Sequence, residues 1–285
     1  MYNRQVRMVT TLNYQLIGSD LDGTFLNSKS EGSPENHAAL KKLYDLGVHF
    51  VPISGRSFGE MPEEIRSSPY IRYYIGSDGG SIYDKQTGQS KILSMPQEAS
   101  RYVLDTLARY PVVTMLHADN RSYVDKSCHR EEHYRAHNYN DTWVKFVFAT
   151  NNPVENFTEF AYRQEYVELY CVFFKNYEDL LECKALLEKH PQLHVTQSHK
   201  YNLDIGWTGA GKGNALMLLA DSLGIDRAAT IAVGDCTNDT TMIKQAGLGL
   251  AMENAVPELK EAADEVICHC DSHSTQYILE HYILK

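Results

Sequence analysis

Apolar and polar positions in the first quarter of the chain follow a pattern that predicts a strand, a helix and a second strand. The first strand ends at Gly18-Ser19-Asp20. Ser33 and Pro34 are typical of a helix start, and the apolar residues then recur at helical spacing until Gly47. The apolar run from Val48 to Ile53 has the length of a buried strand. Strand, helix and strand at this spacing predict a βαβ unit with a parallel sheet.

The last quarter has the same pattern. The predicted elements are a strand end at Leu203–Ile205, a helix at Asn214–Leu223, a buried strand at Thr230–Val233, a helix from Asn238 to Gly247 and a strand at Leu248–Met252. The two quarters therefore predict two halves of one α/β core, a doubly wound, Rossmann-like parallel sheet.

The middle of the chain differs, because its candidate strands are longer and aromatic. These strands are Val112–Leu116, Trp143–Phe148 and Leu169–Phe174, and helical patterns at Glu98–Arg109 and Glu178–Lys189 separate them. We predict an inserted α/β cap domain at residues 86–202, between a first core part at 1–85 and a second at 203–285.

The segment Asp20-Leu21-Asp22-Gly23-Thr24 directly follows the first strand. Positions i and i+2 of an extended chain point the same way, so Asp20 and Asp22 can both face a ligand at the carboxyl end of the sheet. Two carboxylates so close repel each other unless a cation or a division of roles compensates. The division that fits is a nucleophile, Asp20, which forms an aspartyl-phosphate, and a general acid/base, Asp22. Gly23 lets the backbone N–H approach a phosphate, and we expect Thr24 to bind phosphate beside it.

Three more segments at strand ends supply other parts of the same reaction. Ser54-Gly55-Arg56 offers a hydroxyl and backbone amides that can hold a phosphoryl oxygen. Lys212 opens a predicted helix, where anions are already favoured. Asp235, Asn238 and Asp239 carry the hard oxygen atoms that suit Mg²⁺. We therefore predict Mg²⁺ as the cofactor, which with Lys212 would offset the repulsion between nucleophile and phosphate.

A rival interpretation of the Lys212 segment is a phosphate-binding loop of the Walker A type. Gly206, Gly211 and Lys212 have the spacing of that loop. The loop next needs Ser or Thr, whose hydroxyl binds Mg²⁺, but this chain has Gly213. The missing hydroxyl argues against a Walker A loop. It favours a single site built from the four segments that follow predicted strands.

Composition narrows the partners and the compartment. The 285 residues carry a net charge of −10, which argues against a nucleic-acid partner. Apolar runs stay below the roughly 18 residues of a membrane span, and the polar stretch Met1–Thr11 lacks the apolar region of a signal peptide. Six cysteines in so long a chain indicate free thiols in a reducing compartment. We expect a cytoplasmic protein, a monomer or weak homo-oligomer, that binds a small phosphorylated metabolite.

The four segments resemble the motifs of the haloacid dehalogenase superfamily of phosphotransferases. The similarity covers Ser19–Leu26, Pro52–Arg56, Gly211–Ala215 and Gly234–Met242. It extends to the Cof-type branch of sugar-phosphate phosphatases, which carry a large α/β cap between their second and third motifs. One departure is Asp78-Gly79, which stands where many members have Asn-Gly.

The resemblance implies a role for each position of the four segments. Asp20 would be the nucleophile and Asp22 the acid/base, as a phosphatase or a phosphomutase requires. The residues that would hold the transferring phosphoryl group are Ser54 and Lys212, with Gly23, Thr24, Gly55 and Asn238 beside them. The Mg²⁺ ligands would be the side chains of Asp20 and Asp235 and the backbone carbonyl of Asp22, with Asn238 and Asp239 supporting them.

These inferences predict a Mg²⁺-dependent phosphatase that hydrolyses small phosphorylated metabolites, such as sugar phosphates, through an aspartyl-phosphate. A phosphomutase is one alternative, because it would return the phosphoryl group to a sugar hydroxyl and release no inorganic phosphate. A non-catalytic sensor of a phosphorylated metabolite is another, although sensing would not need Asp22.

Two other clusters could bind a metal. His129, His133 and His137 recur at intervals of four, which can hold zinc but is more typical of a polar helix face. Cys268-His269-Cys270 with His273 offers soft ligands, but a surface turn with free thiols explains it more simply.

Overall fold

The computed structural model describes residues 13–285, so the polar stretch Met1–Thr11 lies outside the described residues. Within residues 13–285, no helix combines the length and the apolar character needed to cross a bilayer.

Three consecutive runs of helices and strands make up the chain. The first run is β1 (Leu16–Asp20), α1 (Pro34–Leu46), β2 (His49–Ile53), α2 (Glu63–Arg66), β3 (Tyr73–Gly76), β4 (Ser81–Asp84) and β5 (Gln89–Ile92). The second run is α3 (Gln97–Leu107), β6 (Val112–Ala118), β7 (Arg121–Asp125), α4 (Glu131–Ala136), α5 (Asp141–Thr150), β8 (Asn152–Val154), α6 (Phe157–Tyr162), β9 (Leu169–Phe174), α7 (Tyr177–Leu187), β10 (Leu193–Thr196) and β11 (Asn202–Trp207). The third run is α8 (Lys212–Ser222), β12 (Thr230–Gly234), α9 (Thr240–Gln245), β13 (Leu248–Ala251), α10 (Pro257–Ala262), β14 (Glu265–Val266) and α11 (Ser274–Ile278).

The first and third runs form the core around an eight-stranded sheet. Its strand order is β14-β13-β12-β1-β2-β3-β4-β5, parallel from β14 to β3, with β4 and β5 as an antiparallel hairpin at one edge. The chain moves outward from β1 through β2 to β3, and later returns to the other side of β1 for β12 and β13. The predicted doubly wound sheet is thus confirmed. Its switch point lies at the carboxyl ends of β1 and β12, where such sheets bind ligands.

Helix α1 shows how local sequence sets the core. The Ser33 side chain accepts a hydrogen bond from the backbone N–H of Asn36, and Gly47 closes the helix in the left-handed conformation with φ 78°. Leu40 and Leu43 are buried on the face that packs into the core. The helix therefore begins and ends where the sequence predicts.

The second run forms the cap, the inserted α/β domain, around a six-stranded sheet. Its order is β10-β11-β9-β6-β7-β8, and all neighbouring pairs are antiparallel except β7 with β8. Tyr170, Val172 and Phe174 of β9 pack in one apolar cluster with residues of α3 and α7. Phe173 packs in another cluster with residues of α4 and α5, so helices cover parts of both faces.

The predicted limits of the cap differ from the sheets by a few residues. Strand β11, which begins at Asn202, pairs with β9 and β10 in the cap sheet, so the prediction that 203–285 belongs to the core is wrong for residues 203–207. Strand β5 at 89–92 pairs with β4 in the core sheet, inside the predicted cap range. Both departures arise because hairpin pairing, which sequence pattern does not reveal, assigns each strand to its sheet.

The predicted strand Trp143–Phe148 is wrong, because these residues lie in helix α5. The Asn140 side chain accepts a hydrogen bond from the backbone N–H of Trp143 and caps the helix. Val144 and Val147 are its buried residues, three positions apart, as one helical face requires. The aromatic and branched residues suggested a strand, and tertiary packing overrides that preference.

Candidate active site

The switch point of the core sheet brings together side chains from distant parts of the chain. Asp20 is the last residue of β1, Asp235 follows β12, and Lys212 is the first residue of α8. Strand β1 is buried along its whole length, and Asp20 is 7% exposed. The Nζ atom of Lys212 lies 2.6 Å from Oδ1 of Asp20. Positions 20, 212 and 235 therefore share one pocket.

Lys212 is a buried cation surrounded by carboxylates. It is 1% exposed and donates to Asp20 and to Oδ1 of Asp239 at 2.7 Å, while Oδ1 of Asp78 lies 3.9 Å away. Burial alone would lower the pKa of Lys212, but these three carboxylates raise it well above its ordinary value. Lys212 thus holds a fixed positive charge beside Asp20.

The acidic side of the pocket suits a divalent cation. Asp20, Asp235 and Asp239 each place a carboxylate oxygen within 4.8 Å of the others. Burial, with neighbouring carboxylates adding to it, raises the pKa of Asp20 well above its usual range and that of Asp235 to about 7. A hard cation with oxygen ligands relieves such repulsion. The donor set therefore fits Mg²⁺.

Asp239 supports the other groups of the pocket. Its Oδ1 accepts from Lys212, and its Oδ2 accepts from the backbone N–H groups of Asp235 at 2.9 Å and Cys236 at 3.0 Å. The residue is fully buried. Because both oxygens are already engaged, Asp239 orients Lys212 and the Asp235 loop.

Asn238 and Asp78 form the next part of the pocket wall. The Nδ2 atom of Asn238 donates to Oδ1 of Asp78 at 3.1 Å. Asp78 has φ 54° and ψ 34°, a left-handed conformation that Asp adopts more readily than most residues. Burial raises the pKa of Asp78, and the Asn238 hydrogen bond opposes that effect. From the sequence, Asp78 is only a departure from the family pattern, with no function assigned to it.

Asp22 lies at the exposed rim, where Arg56 fixes its orientation. The guanidinium donates to both carboxylate oxygens, with distances of 2.9 Å from Nε to Oδ2 and 2.7 Å from Nη2 to Oδ1. Cζ of Arg56 also lies 4.6 Å from the ring centre of Phe146 in the cap. Sequence pattern alone assigns Arg56 no role of its own. The sequence signal that could have identified Arg56 is its position directly after Ser-Gly at the carboxyl end of β2, the strand next to β1.

Gly23 and Thr24 shape the turn after the nucleophile candidate. Gly23 has φ +78°, and a Cβ there would lie 2.4 Å from Oδ2 of Asp235, so only glycine fits. Its carbonyl accepts from Nδ2 of Asn254 at 2.8 Å. Thr24 is fully buried, and its carbonyl accepts from Oγ of Ser274 at 2.8 Å. Thr24 thus belongs to the interior of the turn.

Ser54 and Gly55 continue the pocket from β2. Ser54 is buried, and its Oγ accepts from the backbone N–H of Arg56 at 3.2 Å, while its carbonyl accepts from that of Asp78 at 3.0 Å. A Cβ on Gly55 would lie 3.9 Å from Oδ1 of Asp78. Both residues therefore border the acidic pocket.

The three histidines considered as metal ligands, His129, His133 and His137, do not converge on one point. The ring of His137 is buried, with Nδ1 2.7 Å from the carbonyl oxygen of His133 and Nε2 3.2 Å from that of Pro111. Nδ1 of His129 lies 2.8 Å from the hydroxyl of Tyr134. In residues 13–285 the three rings form no common metal-ligand cluster.

The Cys268 segment forms a turn with free thiols, as predicted. His269, Cys270 and Asp271 have ligand atoms within 4.8 Å of one another. However, Nδ1 of His269 already accepts from the backbone N–H of Asp271 at 3.2 Å, and so caps the turn. Burial raises the pKa of Cys268 to about 11, which keeps that thiol protonated at neutral pH.

Known proteins resemble this chain over nearly its full length. The family model for haloacid dehalogenase-like hydrolases matches residues 17–279. The 5-amino-6-(5-phospho-D-ribitylamino)uracil phosphatase YwtE of Bacillus subtilis is 29% identical over 278 residues, which cover 93% of this chain and 96% of the relative. The HMP-PP phosphatase of Serratia proteamaculans is 26% identical over 275 residues, 95% of this chain and 96% of the relative.

A solved structure extends the likeness to the fold. The structure of a haloacid dehalogenase-like hydrolase from Bacillus subtilis superposes with a TM-score of 0.79 at 26% identity and covers 94% of this chain and 100% of that chain. The resemblance inferred from the four segments is thus confirmed. The relatives are named phosphatases, in agreement with the predicted hydrolysis of phosphoric monoesters. The chain belongs to the haloacid dehalogenase-like hydrolases.

Proposed function

We propose that the protein is a Mg²⁺-dependent phosphatase that hydrolyses small phosphorylated metabolites through an aspartyl-phosphate on Asp20. The observation that carries the proposal is the contact of Lys212 with Asp20 inside a buried acidic cluster at the switch point. A carboxylate and a phosphate repel each other because both are anions. A fixed cation beside the carboxylate offsets that repulsion and lets the two groups approach.

In the first half of the reaction, a carboxylate oxygen of Asp20 attacks the phosphorus atom. The bond between phosphorus and the alcohol oxygen of the substrate breaks, and the Asp22 carboxyl donates its proton to that oxygen. Arg56 orients Asp22 at the rim, where the alcohol departs. Lys212 neutralises charge on the phosphoryl group, and Ser54 and the Gly23 turn border it.

In the second half, the oxygen of a water molecule attacks phosphorus, and Asp22 takes a proton from that water. The bond from phosphorus to Asp20 breaks, inorganic phosphate leaves, and both residues return to their starting states. The residues that would hold Mg²⁺ are Asp20 and Asp235 with the Asp22 carbonyl, supported by Asn238 and Asp239. When bound, Mg²⁺ supplies the positive charge that the acidic cluster requires.

The substrate class follows from the relatives by analogy. The two named relatives act, by their names, on a phosphorylated ribitylaminouracil and on HMP-PP. Both names describe small phosphorylated metabolites, so we propose the same broad class of substrate for this chain.

Release of phosphate from p-nitrophenyl phosphate, with and without Mg²⁺, tests the proposal. We expect turnover that EDTA abolishes and that Asp20→Asn lowers by at least about 1,000-fold, since the nucleophile is lost. Asp45→Asn is the matched control, because Asp45 lies on the exposed side of α1 in a surface pair with Lys41. Turnover that persists in the presence of EDTA, or in the Asp20→Asn variant, would contradict the proposal.

Product analysis separates hydrolysis from the phosphomutase alternative, because only hydrolysis releases inorganic phosphate. A sensor would show ligand-dependent melting shifts without any turnover.

A further inference from the structure

A buried network of polar side chains joins the cap to the core near the candidate active site. Two of its members belong to the cap, His117 near the end of β6 and Glu168 just before β9. The other two belong to the core, Glu60 between β2 and α2 and Ser77 directly after β3. All four residues are at most 5% exposed. Buried polar groups are costly without partners, so their contacts indicate what the network does.

His117 lies at the centre of this network. The Oγ atom of Ser77 donates to Oε2 of Glu168 at 2.7 Å, which uses the only proton of that hydroxyl. The Ser77 oxygen can therefore only accept from Nδ1 of His117, which lies 3.2 Å away. On the other side of the ring, Nε2 lies 3.3 Å from Oε2 of Glu60. His117 thus connects a carboxylate of the cap, through Ser77, with a carboxylate of the core.

The tip of the β6–β7 hairpin reinforces this junction. The carbonyl oxygen of Asn120 accepts from the backbone N–H of Gly59 at 3.0 Å. The Nδ2 atom of Asn120 donates to Oγ of Ser90 in the core strand β5 at 2.7 Å. The cap therefore holds the core segment 57–60, called the Glu60 loop below, by its backbone as well as by a side chain.

The Glu60 loop carries the contact on to the rim of the active site. Oε2 of Glu60 accepts from the backbone N–H and from Oγ of Ser57, both at 2.8 Å, and so closes the loop. Nη1 of Arg56 donates to the carbonyl oxygen of Glu60 at 3.5 Å. Arg56 also donates to both carboxylate oxygens of Asp22. A continuous series of contacts therefore connects His117 with Asp22.

We propose that His117 and Glu60 are positioning residues for the candidate acid/base Asp22. The proposal rests on the phosphatase function proposed above. The contact of His117 with Glu60 fixes the Glu60 loop, and the loop holds Arg56 in the orientation that aligns Asp22. The cap thus contributes to proton transfer with every substrate. Loss of the contact should lower kcat and change KM little, because the phosphate-binding candidate Lys212 stays in place.

Two substitutions of His117 separate the two contacts of its ring. The amide nitrogen of Gln can take the position of Nε2 and keep the contact with Glu60. The amide nitrogen of Asn can take the position of Nδ1 and keep only the contact with Ser77. We expect His117→Asn to lower kcat for p-nitrophenyl phosphate by about tenfold and His117→Gln to stay within about threefold of wild type.

This pair of variants distinguishes positioning from a merely structural role. Each replaces a buried imidazole by one amide, so a structural role would lower kcat equally in both. Equal kcat values in the two variants, or a wild-type kcat in His117→Asn, would overturn the proposal. A rise in KM with unchanged kcat would also contradict it, because it would indicate loss of substrate binding.

Glu60 provides the same test from the core, also in case His117→Asn does not fold. Glu60→Gln keeps an oxygen that can accept from Ser57 and face His117, so kcat should stay within about threefold of wild type. Glu60→Ala removes both contacts and should lower kcat at least as much as His117→Asn. The double variant His117→Asn/Glu60→Ala should lose no more than Glu60→Ala alone, because both residues act through one contact. Losses that multiply would contradict the proposal.

His137 is the matched control, because it is a buried histidine whose ring contacts lie within the cap. Its two nitrogens lie near the carbonyl oxygens of His133 and Pro111. His137→Gln should therefore leave kcat within about twofold of wild type, whatever its effect on stability. If the wild type releases no phosphate, the proposed phosphatase function fails. If it releases phosphate but His117→Asn and His117→Gln have equal kcat, only the present inference fails.

Discussion

The core edge at the switch point and the sheet of the cap are built by different kinds of sequence signal. At the core edge, Asp20, Ser54 and Asp235 each lie at or just after the end of a parallel strand, and Lys212 begins a helix. On the cap face, Tyr139 and Asp204 come from a loop between helices and from the middle of an antiparallel strand. The candidate site of the core is thus encoded in short contiguous segments, whereas strand register decides which side chains of the cap sheet become neighbours.

The comparison leads to an expectation for substitutions. Core variants should damage every substrate alike, because they alter the phosphoryl site that all substrates share. Cap variants, apart from those of His117, should change kcat/KM for one substrate relative to another, because substrates differ only in their leaving groups.

The largest effect is expected for Lys212→Met, which removes the buried cation from between Asp20, Asp239 and Asp78. Uncompensated buried carboxylates should lower the free energy of unfolding by roughly 3–5 kcal/mol, and turnover should fall by at least about 1,000-fold. Urea denaturation and phosphate release measure the two losses. Lys41→Met, at an exposed pair on α1, should change neither appreciably. A stable and active Lys212→Met protein would contradict the role of this cation.

A smaller loss is expected for Arg56→Ala, which frees Asp22 from its two hydrogen bonds. Misorientation of the acid/base should lower kcat by about 10- to 100-fold on all substrates, within the range of acid–base contributions. Steady-state kinetics with p-nitrophenyl phosphate and with a sugar phosphate measure the loss. A loss confined to the sugar phosphate would mean that Arg56 acts on the leaving group and not on Asp22.

The stability of the metal-free protein should depend on pH through Asp235. Burial and neighbouring carboxylates raise the pKa of Asp235 to about 7, against about 3.9 in an unfolded chain. Between these values the folded state binds more protons than the unfolded state, so stability falls as pH rises from about 4 to about 7 and levels off above. Mg²⁺ competes with those protons, and it should raise Tm by a few degrees more at pH 8 than at pH 5.5. Melting curves at both pH values, with EDTA as the control, measure the difference, and an equal shift at both would refute it.

The smallest expected effect is a difference in the free energy of unfolding between variants of two buried tyrosines in the cap. The hydroxyl of Tyr170 lies 2.7 Å from Oγ of Ser100, whereas that of Tyr139 has no partner within residues 13–285. Tyr170→Phe should therefore lower the free energy of unfolding by about 1 kcal/mol, and Tyr139→Phe should leave it unchanged or raise it slightly. Urea denaturation of the two variants measures the contrast. Equal losses would mean that Tyr139 has a partner within the free protein.

Local signals in the sequence are enough to predict the doubly wound core and the candidate site at its edge. Helix caps such as Ser33, apolar periodicity and polar residues at strand ends are local signals, and parallel strands bring their carboxyl ends to one edge. Asp20, Lys212 and Asp235 could therefore be placed together without coordinates.

The packing of the whole chain determines the remaining features. It assigned β5 to the core sheet and β11 to the cap sheet, and it formed a helix at Trp143–Phe148, where composition favoured a strand. It also paired Arg56 with Asp22 and, within residues 13–285, left the hydroxyl of Tyr139 without a hydrogen-bond partner. The physical reason is that these features depend on strand pairing and on contacts between residues far apart in the chain, for which a single sequence carries no local signal.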